Sequence, residues 1–392
     1  MAYLYLYKPL EQDDTFTGNK VCVTRFAYDI EHKEILDNIG SFSFNISTKN
    51  RMSEYLKDEY IISIDNKYWG IVRTIKQSES NSSLINITGD DLKGYSSQRI
   101  TLYPGDDIDI GLKGYDALSD VSTETLVKYF VKNNMIHPTN PCRKIHCLIN
   151  APDLERGIQD DRYMSRLEKM DELLNKNCNN AKLGYSITPD LKDNVFVFDI
   201  IQGKNRTVNN TDLSELKRGQ RVIFDTKYKN ILSLEYYLSG APYKNIFYAT
   251  TGNDVESPTY MFYRDIEPSE PEGTSRYEQQ LNISSNIDDP DTYEIAKQYA
   301  LKDASEYEKT ETITVIPNND KYVYGEDYSI GDFVTLQAKK GIFKRRVATI
   351  DAQITSVTRK WKSAGISYEL GFGKGKVNIF DLIKKMIKNK WR

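Results

Sequence analysis

Hydrophobic and polar residues alternate through much of residues 1–110, which is the pattern of β-strands with one buried face. The clearest run, Ser41–Ser47, puts its three large apolar side chains on one side of an extended chain. Three further runs have the same β character: Glu59–Ile64, Tyr68–Ile75 and Ser83–Thr88. The Asp65-Asn66 pair between two of these runs is typical of a hairpin turn. Short strands at this spacing predict a small barrel or sandwich in this region.

The pattern changes to a helical period after residue 110. Ser122 or Thr123 can cap a helix predicted over Ser122–Met135, in which apolar residues pair at a spacing of four. A second helix is predicted from about Asp161 to Asn177, with one apolar stripe made of Met164, Leu167, Met170 and Leu174. Two strand-like runs follow: Gly184–Thr188 and Val195–Ile201. We therefore expect an α/β domain over residues 111–204, inserted between β regions.

The remaining chain returns to β character and is expected to form a second β domain from residues 205–265 and 309–373. Its first strands are predicted at Val222–Asp225, Leu232–Tyr237 and Asn245–Thr250. Residues 266–308 interrupt this domain with a linker rich in Pro, Glu, Ser and Asn and then a helix near Pro290–Glu308. Residues 374–392 are predicted to form a separate tail helix.

Composition narrows the class of protein. The 392 residues carry 53 Lys and Arg against 56 Asp and Glu, so a globally basic, sequence-specific nucleic-acid binder is not expected. Tyrosine outnumbers phenylalanine 28 to 14, and tyrosine suits surfaces that become buried against partners. Four cysteines do not make a disulfide framework, and no secretory signal or long apolar span is evident. These features predict a chain that folds in the cytoplasm.

Metal chemistry has two candidates in the sequence. One segment holds two histidines and two cysteines, the ligand types that zinc prefers: His137, Cys142, His146 and Cys147. Their spacing does not match known finger patterns. The acidic run Asp106–Asp109 fails the calcium-loop pattern, because glycine and leucine stand where the fifth ligand and the turn glycine are needed. We therefore predict no metal site and no cofactor.

Catalytic signals are equally poor. The chain has three histidines and lacks a Gly-x-Ser-x-Gly nucleophile elbow. Adjacent acids occur in several pairs, but such pairs are normally loop residues or helix caps rather than the two carboxylates of a glycosidase. The glycines of Gly371–Gly375 lack the Gly-Lys-Ser/Thr ending of a phosphate loop. We predict no catalytic and no cofactor-binding residues.

Four groups of segments, in this order and spacing, resemble a known protein family. They are Tyr68–Ile75 with Ile87–Leu92; Leu183–Ile187 with Val195–Phe198 and Gly203–Thr207; Val222–Leu232 with Tyr243–Tyr248; and Tyr328–Thr335 with Ile366–Gly373. The set resembles the phage tail-protein family that includes siphovirus tail-tip hubs, which is similar in fold to the baseplate hubs of contractile phages and phage-tail-like bacteriocins. The resemblance covers about residues 40–373. Where the family often has Asp-Arg-Thr, this chain has Asn205, Arg206 and Thr207.

The resemblance implies an α+β fold in which each chain contributes two small, tube-like β-barrels, an inserted α/β domain and a helical C-terminal tail. It implies a non-enzymatic homotrimer, in which six barrels match the hexameric tail tube above. Below, the threefold symmetry of the trimer matches a trimeric spike or fibre, with other baseplate proteins beside it. The expected location is the tail tip or baseplate of a virion or tail-like particle assembled in the bacterial cytoplasm. Two alternatives remain open: a tail-associated peptidoglycan hydrolase or peptidase, and a receptor- or glycan-binding tip protein. For the latter, aromatic residues could stack on sugars, although Trp69, Trp361 and Trp391 are dispersed along the chain.

The last segment, 374–392, has seven basic residues and one acid, Asp381, and is amphipathic at a helical period. Its candidate partner-docking residues are Ile379, Phe380, Ile383, Met386, Ile387 and Trp391. The favoured interpretation is docking onto a partner subunit or the next tail component, with the basic face meeting an acidic surface. Packing on its own domain and contact with an anionic membrane surface are the alternatives.

Overall fold

The computed structural model describes residues 2–10, 16, 18, 20–78, 81–104, 116–160, 163–211, 214, 221–241, 243–250, 259–263, 271–282, 293, 307, 310–318, 321–338, 348–363 and 365–373. This part of the chain is mostly β with two α-helices, which confirms the α+β class. The chain divides into two compact units: Met1–Glu235 with Thr314–Gly375, and Tyr236–Ile313 with Lys376–Arg392. The predicted tail helix, and all but residues 293 and 307 of the predicted helix near 290–308, lie outside the described residues.

The first β block is antiparallel throughout. Its strands are β1 (Leu4–Tyr7), β2 (Lys20–Thr24), β3 (Ala27–Ile35), β4 (Ser41–Ser47), β5 (Ile61–Ile64), β6 (Tyr68–Ser78) and β7 (Asn81–Asp91). They are ordered β2-β1-β5-β6-β7-β4-β3. The predicted strand over β4 is confirmed with its alternating burial, and Asp65 and Asn66 both have positive φ, 55° and 53°, as the predicted hairpin requires.

Strand β5 is covered on both faces of the sheet. All four of its residues are buried, because Ile61 joins one hydrophobic core while Ile62 and Ile64 join another. Glycine is needed at two positions of the neighbouring strands, where a Cβ on Gly70 or Gly89 would lie within 3 Å of the Phe42 ring. The apolar alternation therefore produces a sheet with a core on each face.

The α/β insertion contains both α-helices. Its elements are β8 (Asp116–Leu118), β9 (Val121–Ser122), α1 (Thr123–Val131), β10 (Leu148–Asn150), β11 (Gln159–Asp160), β12 (Tyr163–Ser165), α2 (Met170–Asn180), β13 (Gly184–Asp190) and β14 (Val195–Ile201). Strand β14 is central, parallel to β10 and antiparallel to β13. The first predicted helix is confirmed: the Ser122 hydroxyl accepts from the Thr125 amide, and α1 continues into a π-helical turn at Lys132–Ile136.

The second predicted helix is wrong over its first half. Residues 163–165 form β12, which pairs antiparallel with β8, and α2 begins only at Met170. Of the predicted stripe, Met170 and Leu174 are buried, whereas Leu167 is exposed and has a φ of 54°. The pairing of β12 with β8 outweighs the local helical spacing. Sequence periodicity gives no information about such a pairing between distant segments.

The last β region holds the remaining strands. They are β15 (Ile223–Asp225), β16 (Ile231–Ser239), β17 (Ile246–Thr250), β18 (Thr259–Tyr263), β19 (Glu278–Asn282), β20 (Thr310–Pro317), β21 (Phe333–Ala338), β22 (Ala348–Lys362) and β23 (Gly365–Gly373). Strands β18, β17 and β19 form a sheet of their own within the second unit. The predicted linker over 266–290 therefore needs correction, because β19 pairs parallel with β17 inside it. The backbone hydrogen bonds between β19 and β17 make this segment a strand despite its polar composition.

Strand β22 joins the two ends of the sequence. Its first half pairs with β21, and its second half pairs with β3, from Ser356 opposite Ile35 to Lys360 opposite Glu31. The path through the large sheet runs β16-β20-β23-β22-β3-β4-β7-β6-β5-β1-β2. The first β block and the last β region thus share one hydrogen-bonded sheet.

Candidate assembly site

The predicted docking residues of the tail lie outside the described residues. These are Ile379, Phe380, Ile383, Met386, Ile387 and Trp391. Their docking role therefore stays a prediction. No helix in the described ranges has the length and apolar character to cross a membrane.

The metal candidates do not come together. Cys147 is buried in the core while Cys142 is exposed, and across the part of the chain that the structure describes no three His, Cys, Asp or Glu residues are grouped to hold a metal. The acidic run Asp106–Asp109 lies outside the described residues. Of the tryptophans in the described residues, Trp69 is buried, and Trp361 donates to Asp65 at 3.1 Å and packs on Tyr68. Trp391 lies outside the described residues.

Two of the segment groups that carry the family resemblance meet at a buried joint. Arg206 Nε donates to Asp332 Oδ2 at 2.6 Å across 126 residues of sequence, and both side chains are buried. Asp332 also accepts from the backbone amides of Lys204 and Ser329. Asn205, where the family often has aspartate, accepts from the Thr207 amide at 3.1 Å. An amide oxygen makes the same turn contact as a carboxylate there.

Close backbone packing completes this joint, which we call the motif joint (Gly203–Thr207 with Ser329–Phe333). A Cβ on Gly203 would lie 1.7 Å from the carbonyl oxygen of Gly331, and Gly331 has a φ of 90°. Phe333 accepts from the Arg206 amide, and its own amide donates to Lys204. The glycines, the ion pair and the backbone bonds together fix where the last β region meets the end of the insertion.

A second buried charge group lies where β22 crosses β3. Arg359, 2% exposed, donates to Glu34 Oε2 at 2.7 Å, to the Tyr324 hydroxyl at 3.0 Å and contacts His32 Nδ1 at 3.2 Å. Its guanidinium also lies 4.5 Å from the ring centroid of Tyr68. We call these five residues the sheet cluster. Its Arg359 Nε is buried without a hydrogen-bond partner among the described residues.

Burial and charge set the protonation of this cluster. Burial lowers the pKa of His32 to about 3, with the nearby Arg359 guanidinium adding to the effect. Burial alone would raise the pKa of Glu34, but Arg359 and Lys93 reverse it, so that the pKa lies below its usual value. Since arginine only donates, His32 is neutral and presents Nδ1 as an acceptor.

The insertion has its own charge group, the insertion cluster (Glu124, Lys128, Arg156 and Asp199). Glu124, fully buried on α1, accepts from Arg156 at 2.7 and 2.8 Å and from Lys128 at 2.5 Å. Asp199 on β14 accepts from Arg156 at 2.8 Å. Burial would raise the pKa of Glu124, but these donors lower it to about 2.

The most exposed aromatic side chains of the first β block lie at the β2–β3 hairpin. Phe26 is 59% exposed, Tyr28 is 54% exposed, and Val23 on β2 is also largely exposed. We call Val23, Phe26 and Tyr28 the aromatic edge. Large exposed apolar side chains grouped at the end of a sheet mark interaction surfaces.

The hairpin that carries the aromatic edge is held in place by Asn50. Its amide nitrogen donates to Thr24 Oγ1 at 2.9 Å and to the Phe26 carbonyl at 3.1 Å, while its oxygen accepts from the Met52 amide. A bulge in β3 follows, where Asp29 has a φ of 50° and accepts from Asn45 at 3.0 Å. The exposed side chains therefore project from a locally fixed backbone.

Sequence reasoning did not identify this hairpin. The alternation of Val21 and Val23 with polar neighbours was the available signal, although it covers only the five residues of β2. The family resemblance did include Arg206 and Asp332, but it assigned them no contact. Their pairing depends on a fold that brings two distant segments together.

Comparisons with known proteins agree with this architecture. The family model described as "Siphovirus ReqiPepy6 Gp37-like protein" matches residues 21–374. Among solved structures, the 43 kDa tail protein of prophage MuSo2 from Shewanella oneidensis is 14% identical with a TM-score of 0.50, over 95% of this chain and 98% of that one. A likeness at this identity shows a shared fold. No curated protein matches the chain.

Two other tail proteins are similar at lower scores. The tail protein from Neisseria meningitidis MC58 is 12% identical, covering 97% of this chain and 98% of that one, with a TM-score of 0.48. Prophage tail protein gp18 from Listeria monocytogenes EGD-e is 10% identical, covering 98% of each chain, with a TM-score of 0.46. From the family match over most of its length, the chain belongs to the Siphovirus ReqiPepy6 Gp37-like family, and the predicted membership of a siphovirus tail-protein family is confirmed.

Proposed function

We propose that this chain is the structural hub of a tail tip or baseplate, a homotrimer that adapts the hexameric tail tube to a trimeric spike or fibre. Each chain contributes two small β-barrels, one from residues 1–110 and one from 205–265 with 309–373. Three chains then present six barrels to the tube and three copies of each surface to the spike. The role is mechanical, without a reaction catalysed by this chain.

The observation that carries this proposal is the shared sheet. An adaptor has to hold its two barrels in a fixed relative position. Strand β22 supports this role, because it pairs with β21 along one half and with β3 along the other. The sheet cluster and the motif joint add buried charge contacts between segments far apart in sequence. Both features favour a rigid scaffold over a hinged enzyme.

The proposed partners follow from the same role. The tail-tube protein lies above the trimer, and the spike or fibre with other baseplate proteins lies below. The tail, residues 374–392, docks through its apolar face onto a neighbouring subunit or component. The protein is a component of the virion or tail-like particle, assembled in the bacterial cytoplasm.

Subunit counting in isolated particles tests the proposal. Native mass spectrometry of tail tips, with the tube protein as an internal standard, should give three copies of this chain for six tube subunits in the adjoining ring. A stoichiometry of two or six contradicts the adaptor role. Zymography on bacterial cell walls separates the hydrolase alternative: lysis by the pure chain, lost on mutation of a carboxylate, would replace the structural role.

A further inference from the structure

The pairing between β3 and β22 is short, and the strands are irregular at both of its ends. Five residue pairs form it, from Ser356 opposite Ile35 to Lys360 opposite Glu31, and we call them the seam. Strand β22 shifts register against β23 just before Ser356, and β3 shifts register against β4 just before Glu31. Each strand is also paired on its other side, β3 with β4 and β22 with β23. The seam can therefore open without breaking either neighbouring ladder.

His32 and Arg359 lie directly opposite each other in the seam. Arg359 Nη1 is 3.2 Å from His32 Nδ1, and the two residues are 2% and 4% exposed, respectively. Because arginine has only donors, this contact exists only while Nδ1 carries no proton. The one carboxylate of the sheet cluster, Glu34, already accepts from Arg359 at 2.7 Å. A proton on Nδ1 would therefore replace a buried hydrogen bond with two donors that face each other.

The groups around His32 do not compensate for a positive charge on its ring. Lys93, also buried, adds a second cation beside Arg359, so a protonated His32 would be the third cation around the single Glu34 carboxylate. Burial and the two cations lower the pKa of His32 to about 3, although Glu34 opposes them. The charged and titratable groups that surround the imidazole are Arg359 on β22, Glu34 on β3, Lys93 after β7, Tyr68 on β6 and Tyr324 before β21.

We propose that the seam is an acid-sensitive switch, in which protonation of His32 separates β3 from β22 while the other pairings of both strands persist. In the closed state, the buried site beside Arg359 excludes the proton. In the open state, water solvates the imidazole, which then binds a proton as an ordinary histidine does. Acid therefore increases the population of the open state. This inference goes beyond the hub role and does not depend on it, because both strands belong to one chain.

Hydrogen exchange of the full chain at pH 7.5 and 5.5 tests the switch. After correction for intrinsic exchange rates, the protection of amides that bond across the seam should fall about tenfold, because His32 has its ordinary pKa of 6.5 in the open state. These amides should also stay less protected than the slowest amides of β14, which report global unfolding. His32→Gln keeps a neutral acceptor and should abolish the fall. The matched control, His137→Gln, replaces an exposed histidine of the insertion and should retain the fall.

A disulfide across the seam gives a second measurement that leaves His32 in place. Glu31 and Lys360 lie opposite each other and are each 42% exposed, so Glu31→Cys combined with Lys360→Cys can form the bond at the surface. The oxidised variant should show no fall in protection, and reduction should restore the fall.

Three results would overturn the switch. They are wild-type protection across the seam that is equal at the two pH values, a fall that persists in His32→Gln or in the oxidised variant, and seam amides that are as slow as the slowest amides of β14. None of these results affects the hub proposal, which subunit counting tests separately.

Discussion

The sheet cluster and the insertion cluster both bury an arginine beside a glutamate, but they connect very different lengths of chain. Arg359 and Glu34 are separated by 325 residues, whereas Arg156 and Glu124 are separated by 32. The first pair holds together two β regions from opposite ends of the sequence. The second pins one loop to one helix within the insertion.

The clusters also differ in how their charges are satisfied. Lys128 Nζ and Arg156 Nε and Nη2 all donate to carboxylate or carbonyl oxygens, and Asp199 at the edge is 42% exposed. Arg359 is enclosed by the rings of Tyr68 and Tyr324 and has one donor without a partner. The two clusters place their buried charge on different partners: Arg359 is 2% exposed against 18% for Arg156, whereas Glu124 is 0% exposed against 26% for Glu34. The desolvation cost therefore falls mainly on the cation in the sheet cluster and mainly on the carboxylate in the insertion cluster.

The largest expected effect comes from Arg359→Met, which leaves Glu34 without its main partner and the two tyrosine rings without a cation between them. The free energy of unfolding should fall by about 3–4 kcal/mol, measured by urea unfolding with hydrogen exchange on β3 and β22. Lys360→Met, on the same strand and 42% exposed, is the matched control and should cost less than about 1 kcal/mol. Equal losses for the two variants would show that the sheet cluster adds nothing to the strand pairing.

Glu124→Gln should have the next largest effect. The amide keeps the shape of the side chain but loses the charge that Arg156 and Lys128 share, so we expect a loss of about 2 kcal/mol. Hydrogen exchange should rise in α1 and in the loop near Arg156 and stay unchanged in β3. Faster exchange throughout both regions would contradict the view that this cluster acts locally.

The two clusters should lose their contributions to stability in different pH ranges on acidification. In the folded chain the pKa of His32 is about 3, whereas in the unfolded chain it is near the ordinary value of 6.5. Between these two values only the unfolded chain binds the proton, so the free energy of unfolding decreases as the pH falls from 6.5 toward 3. Glu124, with a folded pKa of about 2, loses its contribution only as the pH falls from about 4.5 toward 2.

His32→Gln tests this difference. The variant should lose about 1.4 kcal/mol less stability than the wild type between pH 7.5 and 5.5, as urea midpoints at each pH would measure. Burial raises the pKa of Asp91 to about 6, which produces the opposite slope, but Asp91 is common to both proteins and cancels in the comparison. Parallel pH profiles for the two proteins would contradict a neutral, buried His32.

The smallest effect is expected for Asp199→Asn, at the open side of the insertion cluster. Its carboxylate is half in solvent, and Arg156 keeps Glu124 as a partner, so the cost should be below about 1 kcal/mol and should shrink further in 1 M salt. The melting temperature at low and high salt measures it. A loss as large as that of Glu124→Gln would mean that the cluster is drier than its exposure indicates.

Local patterns determined a large part of the fold. Alternation fixed β4 and β14, the Asp65-Asn66 pair gave the hairpin, and a capped apolar stripe gave α1, because each of these depends on residues within a few positions of one another. The ordered segments also sufficed to identify the tail family. In these cases the information that specifies the element is contained within the element.

Distant contacts decided the rest. The apolar stripe at the start of 161–177 and the polar composition over 266–290 predicted the wrong local structure, because β12 and β19 form hydrogen bonds with strands elsewhere in the chain. The pairing of β22 with β3, the Arg206–Asp332 contact and the aromatic edge could not be read from spacing either. The role of a buried charge or of a strand edge depends on the partner beside it. Only the tertiary fold brings residues from the two ends of this sequence within hydrogen-bonding distance.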